Sequence, residues 1–282
     1  MIQRILTLLS FVLFVVIIII GGLHWKAKLN EAVSNPNGYV QSTNSSDAST
    51  VSESGDGENA STAEEENGWN LEQLKTYTAN LPSDLADIFK QAFYDERVLH
   101  VSIVGSPSLG VEENGWSVQV QEQLEETYGT DFLDVNIVQF DGTSTAFVDS
   151  EEAKEIVEEA PDLLLLEGFT LEDNSGLVPV NTSHENLRTF LGEVIEANPN
   201  VGILIQPPNP IYAAVNYPVQ VEELKNFAEL EGLHYLDHWQ FWPDPNSSEI
   251  LDYLNDESLP NEEGHKLWAD VVVNYFVGKA DE

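Results

Sequence analysis

Short apolar segments alternate with segments of helical period through the chain from Trp69 onward. The apolar segments, rich in Val, Ile and Leu, lie at 98–104, 135–140, 163–166, 201–205 and 234–236. Between them, and again at 264–277, apolar residues recur with the spacing of an amphipathic helix. Parallel strands show this pattern because helices cover both faces of their sheet. The chain is therefore predicted to form an α/β domain with a parallel sheet of about five strands.

The amino-terminal part of the chain has a different character. Residues 5–23 carry no charge, and as a helix they are long enough to cross the roughly 30 Å apolar layer of a membrane. This run is long for a signal peptide, and Trp25 and Lys26 stand where a cleavage site needs small residues. Residues 1–29 are therefore predicted to be an uncleaved transmembrane anchor. The protein is expected in the cell membrane as a single-pass protein, with the bulk of the chain outside.

The segment 30–68 is rich in Ser, Thr, Asn and Gly, and it holds eight acids and no base. Such a segment cannot bury enough apolar surface to order itself, so it is predicted to be a disordered linker. A helical lead-in is predicted at 69–96, and the α/β domain is predicted at 97–282.

The chain is strongly acidic, with 49 Asp and Glu against 11 Lys and Arg and a net charge of −38. This charge repels phosphate backbones and excludes nucleic-acid binding. It is tolerable where salt screens it, which points to a saline or alkaline exterior. The chain has no cysteine, which excludes disulfides, thiol catalysis and Cys-ligated metals. No histidine pair has ligand spacing on one helix, so neither a metal nor another cofactor is predicted.

Polar residues follow each predicted strand, at the edge of a parallel sheet where ligands bind. These segments lie at 105–110, 141–145, 167–174, 206–210 and 237–239, and they are rich in Ser, Gly, acid and amide side chains. The glycine spacing after the first strand is not that of a dinucleotide-binding loop, and no P-loop lysine follows. The pattern therefore favours hydrolysis over dinucleotide binding.

The segment 104–110, Val-Gly-Ser-Pro-Ser-Leu-Gly, resembles the first motif of the SGNH, or GDSL-type, hydrolases. In that family Gly-Asp-Ser-Leu ends the first strand, and a glycine follows four residues after the serine. Ser106 reproduces this spacing, although the aspartate is missing; in a rival register, Ser108 is the nucleophile. The resemblance covers about residues 97–278. It implies a flavodoxin-like three-layer α/β/α sandwich with the activity of an esterase, a lipase or a carbohydrate O-deacetylase.

The resemblance also implies donors for an oxyanion. Gly142 matches the family glycine after the second strand, whose backbone N–H binds the oxyanion together with that of the nucleophile, here Ser106. The family's third motif, Gly-x-Asn-Asp, is poorly matched at 167–170. Asn174 is the nearest amide and the candidate for the third donor.

The last family motif, Asp-x-x-His-Pro-Asn followed by glycine, is matched at 256–264 except that Leu259 replaces the histidine. A serine hydroxyl is a weak nucleophile without an adjacent base. The resemblance leaves His265 as the provisional base, oriented by Asp256, with His238 as the alternative base.

Two functions follow from these observations. The first is a membrane-anchored, extracytoplasmic serine ester hydrolase acting on small-molecule or carbohydrate esters. The alternative is a catalytically impaired domain of the same fold that binds a cell-envelope polymer or a protein partner. Leu259 motivates this alternative, and the aromatic residues within 235–242 would offer stacking surface for sugars.

Overall fold

The computed structural model of the protein describes residues 70–278. The predicted anchor at 5–23 and the predicted linker at 30–68 lie outside these residues. Within 70–278, no helix combines the length and the apolar character that a membrane span requires.

Five parallel strands form one sheet in the order β2-β1-β3-β4-β5. They are β1 (Leu99–Gly105), β2 (Leu133–Gln139), β3 (Leu163–Glu167), β4 (Gly202–Gln206) and β5 (His234–Tyr235). The prediction of a parallel five-stranded α/β domain is confirmed. The chain passes from β1 to β2 on one side and then returns to β3 on the other. The carboxyl ends of β1 and β3 therefore flank the switch point, where open α/β sheets place their ligand sites.

Helices cover both faces of this sheet. They are α1 (Leu71–Tyr77), α2 (Ser83–Tyr94), α3 (Trp116–Tyr128), α4 (Ser144–Phe147), α5 (Glu151–Glu159), α6 (Thr170–Ser175), α7 (Val180–Ala197), α8 (Tyr217–Glu231) and α9 (Glu262–Phe276). Buried side chains of α1, α2, α3 and α9 form one core, and those of α4, α5, α7 and α8 form the other.

The sequence of β3 shows why both faces are buried. Leu163 and Leu165 pack into the first core, whereas Leu164 and Leu166 pack into the second. Successive side chains of a strand point to opposite faces, so an uninterrupted leucine run supplies both cores. By the same alternation, Glu167 at the end of β3 belongs to the face of Leu165 and α9.

Candidate functional site

Ser106 lies immediately after β1, at the switch point. Its side chain is fully buried. Its Oγ accepts a hydrogen bond of 3.3 Å from the backbone N–H of Ser108, so Ser106 caps the short 3-10 turn Pro107–Leu109. Its backbone N–H donates to Oε2 of Glu167 at 2.6 Å. The predicted nucleophile is thus joined to a carboxylate on the neighbouring strand.

Glu167 is fully buried at the carboxyl end of β3. Besides the Ser106 N–H on Oε2, its Oε1 accepts the backbone N–H of Phe169 at 2.9 Å. Burial raises the pKa of Glu167 to about 7, and the bonds from Ser106 and Phe169 oppose that rise. The sequence analysis assigned Glu167 no role. A single acid that ends an otherwise apolar strand was the available signal.

Gly105 makes the approach of Glu167 possible. A Cβ on Gly105 would lie 2.7 Å from Cβ of Glu167 and 2.8 Å from its Oε2. The two residues occupy matching positions, since the register of β1 and β3 pairs Val104 with Leu166. Only glycine leaves room for the carboxylate beside β1.

Ser108, the alternative nucleophile, is also fully buried. Its hydroxyl donates to Oδ1 of Asn209 at 3.1 Å. Nδ2 of Asn209 donates in turn to the carbonyl oxygen of Ser258 at 2.9 Å. Asn209 therefore ties the loop after β1 to the loop that precedes α9. Its position in Pro-Pro-Asn-Pro, directly after β4, was the sequence signal for this buried amide.

His265, the provisional base, lies on α9 and is buried. Its Nδ1 accepts the backbone N–H of Trp116 at 3.2 Å. The neutral ring therefore carries its proton on Nε2, and the lone pair of Nδ1 is occupied by the bond from Trp116. Burial lowers the pKa of His265 to about 4. Gly110, at φ +68°, lies against the ring, where a Cβ would clash.

The structure does not join Asp256 to His265. Asp256 is exposed, and no hydrogen bond or ion pair between residues 70 and 278 links His265 to Asp256 or to Ser106. The three side chains predicted as a triad therefore have separate surroundings.

His238, the alternative base, is fully buried and has both ring nitrogens occupied. Nε2 donates to the carbonyl oxygen of Pro207 at 2.8 Å, and Nδ1 accepts the indole N–H of Trp242 at 2.9 Å. Burial lowers the pKa of His238 to about 3. The ring also stacks on Trp268, with centroids 4.1 Å apart, and Trp268 stacks on Trp116 at 4.6 Å. His238 fastens the loop after β4 to the core and has no free nitrogen for Ser106.

The predicted oxyanion donors differ in their availability. The backbone N–H of Gly142 has no hydrogen-bond partner among residues 70–278. The backbone N–H of Ser106 is occupied by Glu167. The Asn174 amide donates to Oε1 of Gln220 at 2.7 Å, and no hydrogen bond described in the structure joins it to Ser106 or Gly142. Of the three, Gly142 is the donor that is free to bind a carbonyl oxygen.

Gln206 contributes a further free donor. It ends β4 and is the direct register partner of Glu167. Its Oε1 accepts the indole N–H of Trp268 at 3.0 Å, whereas its Nε2 is the one buried side-chain polar atom without a partner in the described part of the chain. A buried unpaired donor costs free energy unless water or a ligand satisfies it. The neighbourhood of Glu167 therefore has unused hydrogen-bonding capacity.

Leu259 occupies the place of the family histidine. It packs against an apolar cluster that includes Tyr217 and Leu171. The rest of the motif has structural roles: Asn261 caps α9 by accepting the backbone N–H groups of Glu263 and Gly264. A Cβ on Gly264 would collide with the backbone of the preceding turn. The motif thus fixes the start of α9 even where its histidine is missing.

No group of three or more His, Asp or Glu side chains between residues 70 and 278 is arranged to hold a metal ion. The buried polar groups near Ser106 are instead a carboxylate, two amides and a second hydroxyl: Glu167, Gln206, Asn209 and Ser108.

No protein-family model and no curated protein matches the chain. Solved structures do share its fold. The structure of a protein described as a GDSL-like lipase from Parabacteroides merdae matches with a TM-score of 0.54 and 15% identity, over 64% of this chain and 96% of that chain. A protein assigned to the G-D-S-L lipolytic family from Desulfitobacterium hafniense gives 0.51 and 17%, over 62% and 98%. A carbohydrate esterase family 3 protein from Talaromyces cellulolyticus gives 0.51 and 14%, over 62% and 95%. The fold is that of the SGNH/GDSL hydrolases, as the sequence predicted.

Proposed function

We propose that the chain is a serine ester hydrolase in which Ser106 attacks the ester carbonyl. The observation that carries this proposal is the position of Ser106 at the switch point, hydrogen-bonded to the buried carboxylate of Glu167. A serine at the carboxyl end of β1 is also what the SGNH-like fold uses for acyl transfer, according to the resemblance described above. The free N–H of Gly142 would hold the oxyanion.

The substrate class is a small-molecule or carbohydrate ester. Two considerations support it: the solved structures that share the fold include lipolytic proteins and a carbohydrate esterase, and a net charge of −38 disfavours polyanionic substrates. The apolar run at 5–23 supports a membrane-anchored enzyme with its hydrolase domain outside the cell.

The hydroxyl of Ser106 is enclosed in this structure, because neither Ser106 nor Ser108 has exposed surface. An ester therefore reaches Ser106 only when the surrounding loops part. The loop after β4 and the loop before α9 are tied together through Asn209, so they are expected to move as a unit.

The test is turnover of p-nitrophenyl acetate by the full-length chain in detergent, together with fluorophosphonate labelling. Ser106→Ala should abolish both turnover and labelling, because it removes the attacking oxygen. Ser108→Ala, a matched loss of one buried hydroxyl two residues away, should retain labelling. If Ser106→Ala instead retains turnover and labelling while Ser108→Ala abolishes both, the nucleophile is Ser108.

A second function is favoured by one specific observation. Leu259 makes an apolar contact where the family places its base. A domain with this change would bind an envelope polymer or a protein partner without hydrolysing it. The two functions separate experimentally: absence of labelling at every pH and salt concentration, with retained binding of cell-wall fragments, would support the binding function.

A further inference from the structure

Resting on the hydrolase function proposed above, we propose that the Glu167 carboxylate is the base that accepts the proton of the Ser106 hydroxyl. The base of a serine hydrolase must lie within hydrogen-bond reach of the nucleophile. The carboxylate of Glu167 lies beside the nucleophilic residue, since its Oε2 accepts the backbone N–H of Ser106 at 2.6 Å. Neither His238 nor His265 shares a hydrogen bond with Ser106 among residues 70–278.

The carboxylate is held in a fixed position. The Phe169 N–H binds Oε1, the Ser106 N–H binds Oε2, and Gly105 leaves the space that the side chain fills. Phe169 has φ +56°, a left-handed conformation that is unfavourable for a residue with a side chain. Such strain persists where the surrounding structure imposes it, commonly at functional sites. Here the strained residue delivers one of the two N–H groups that orient Glu167.

The surroundings of Glu167 raise its basicity. No Lys, Arg or His in the described part of the chain forms an ion pair with it. Two titratable groups interact electrostatically with its carboxylate: Glu172 on α6 and Tyr217 on α8. Burial first, and Glu172 in addition, raise the pKa of Glu167 to about 7. An imidazole has a pKa of about 6.5, so this carboxylate matches the usual base of a serine hydrolase.

The proton balance of the reaction follows from this assignment. Ser106 Oγ forms a bond to the ester carbonyl carbon while its proton passes to ionised Glu167. As the ester C–O bond breaks, Glu167 returns the proton to the departing alkoxide and the acyl group stays on Ser106. Water then attacks the acyl-enzyme, gives its proton to Glu167 and releases the acid. The final proton transfer, from Glu167 to Ser106 Oγ, restores the starting state.

The decisive variant is Glu167→Gln in the full-length chain, with fluorophosphonate labelling of Ser106 and p-nitrophenyl acetate turnover measured from pH 5 to pH 9. We expect both rates of the unsubstituted protein to rise through about pH 7, the pKa of Glu167. Glu167→Gln should lower both rates about 10²- to 10⁴-fold, the usual contribution of a general base. Glu193→Gln, which removes an exposed acid by the same substitution, serves as the matched control.

A second variant keeps the test valid if Glu167→Gln does not fold. Glu172→Gln removes the neighbouring negative charge that raises the pKa of Glu167. It should therefore move the acid limb of the rate profile to lower pH with little loss of maximal rate. A purely structural Glu167 would give no such shift.

The possible results are distinguishable. If the unsubstituted protein neither turns over ester nor labels at Ser106, the proposed hydrolase function itself fails, and the role of Glu167 with it. If the protein is active but folded Glu167→Gln retains full activity, or if the rates of the unsubstituted protein stay flat from pH 5 to pH 9, the hydrolase function stands and Glu167 is not the base. Loss of activity in His265→Ala with retention in Glu167→Gln would assign the base to His265.

Discussion

Glu167 and Gln206 are direct register partners at the carboxyl ends of β3 and β4, so a buried carboxylate and a buried carboxamide lie side by side. Neither residue has a charged partner, and the amide nitrogen of Gln206 has no partner at all among residues 70–278. Buried polar groups cost free energy of folding unless their bonds are satisfied. Two of them at the carboxyl edge of the sheet, beside the switch point, are better explained by a ligand site than by the stability of the core.

The pH dependence of stability should report on Glu167. Its folded-state pKa of about 7 lies above the usual 4.5. Between these values the folded chain binds the extra proton, so this group's contribution to stability is lost as pH rises through that window. The loss should reach about 3 kcal/mol by pH 9. Glu167→Gln cannot ionise, so the free energy of unfolding of this variant, taken relative to that of the parent, should be higher at pH 9 than at pH 5. Parallel pH profiles from urea unfolding would contradict the burial of an ionisable Glu167.

Asn209 should contribute strongly to stability through its side chain. Asn209→Ala removes the acceptor of the Ser108 hydroxyl and the donor to the carbonyl oxygen of Ser258. Leaving buried groups unpaired should cost about 2 to 4 kcal/mol. Thermal unfolding of Asn209→Ala and of Asn200→Ala, whose exposed side chain makes no described hydrogen bond, measures the difference. Equal melting temperatures would show that this connection between loops is not formed.

Two glycine substitutions should have opposite effects. Gly105→Ala places a Cβ 2.7 Å from Cβ of Glu167, and the strain should cost about 1 to 3 kcal/mol. Gly192→Ala places a Cβ in open space on α7, and it should stabilise the helix by about 0.5 to 1 kcal/mol. Chemical denaturation of the two variants checks both signs. A neutral Gly105→Ala would mean that Glu167 does not need this space.

Salt should stabilise the protein. At a net charge of −38, like charges repel across the surface, and salt screens them over about 10 Å at 0.1 M. The melting temperature of the full-length chain should rise as sodium chloride increases from near zero to molar levels. A flat or falling melting temperature would remove the argument for a saline exterior.

Most of the fold could be predicted from the sequence, because the apolar pattern of each segment indicates which of its faces are buried. Leu163 to Leu166 form a strand that is covered on both faces, as their short uninterrupted apolar run predicts, and the helical segments have one apolar side each. Strand order adds information that no segment carries by itself. Only the pairing of β1 with β3 brings Gly105 beside Glu167.

Less of the site could be predicted, because its contacts depend on which strands and loops pair in space. Ser106 could be found by its spacing to Gly110, which lies within one loop. The partners of Ser106 and Ser108 are 61 and 101 residues away, beyond the reach of a local motif. The surroundings of His238 and His265 also depend on distant indole and backbone N–H groups, from Trp242 and Trp116. A histidine near a motif therefore could not be distinguished from a histidine of the core.

The stack of Trp116, Trp268 and His238 gives the protein an intrinsic optical probe. Trp268 lies between the other two rings, and its indole N–H is bound to the carboxamide that stands beside Glu167. Its emission depends on the rings that it touches and on the acceptor of its N–H. Occupation of the space next to Gln206, or protonation of His238, should therefore change tryptophan fluorescence without any added dye.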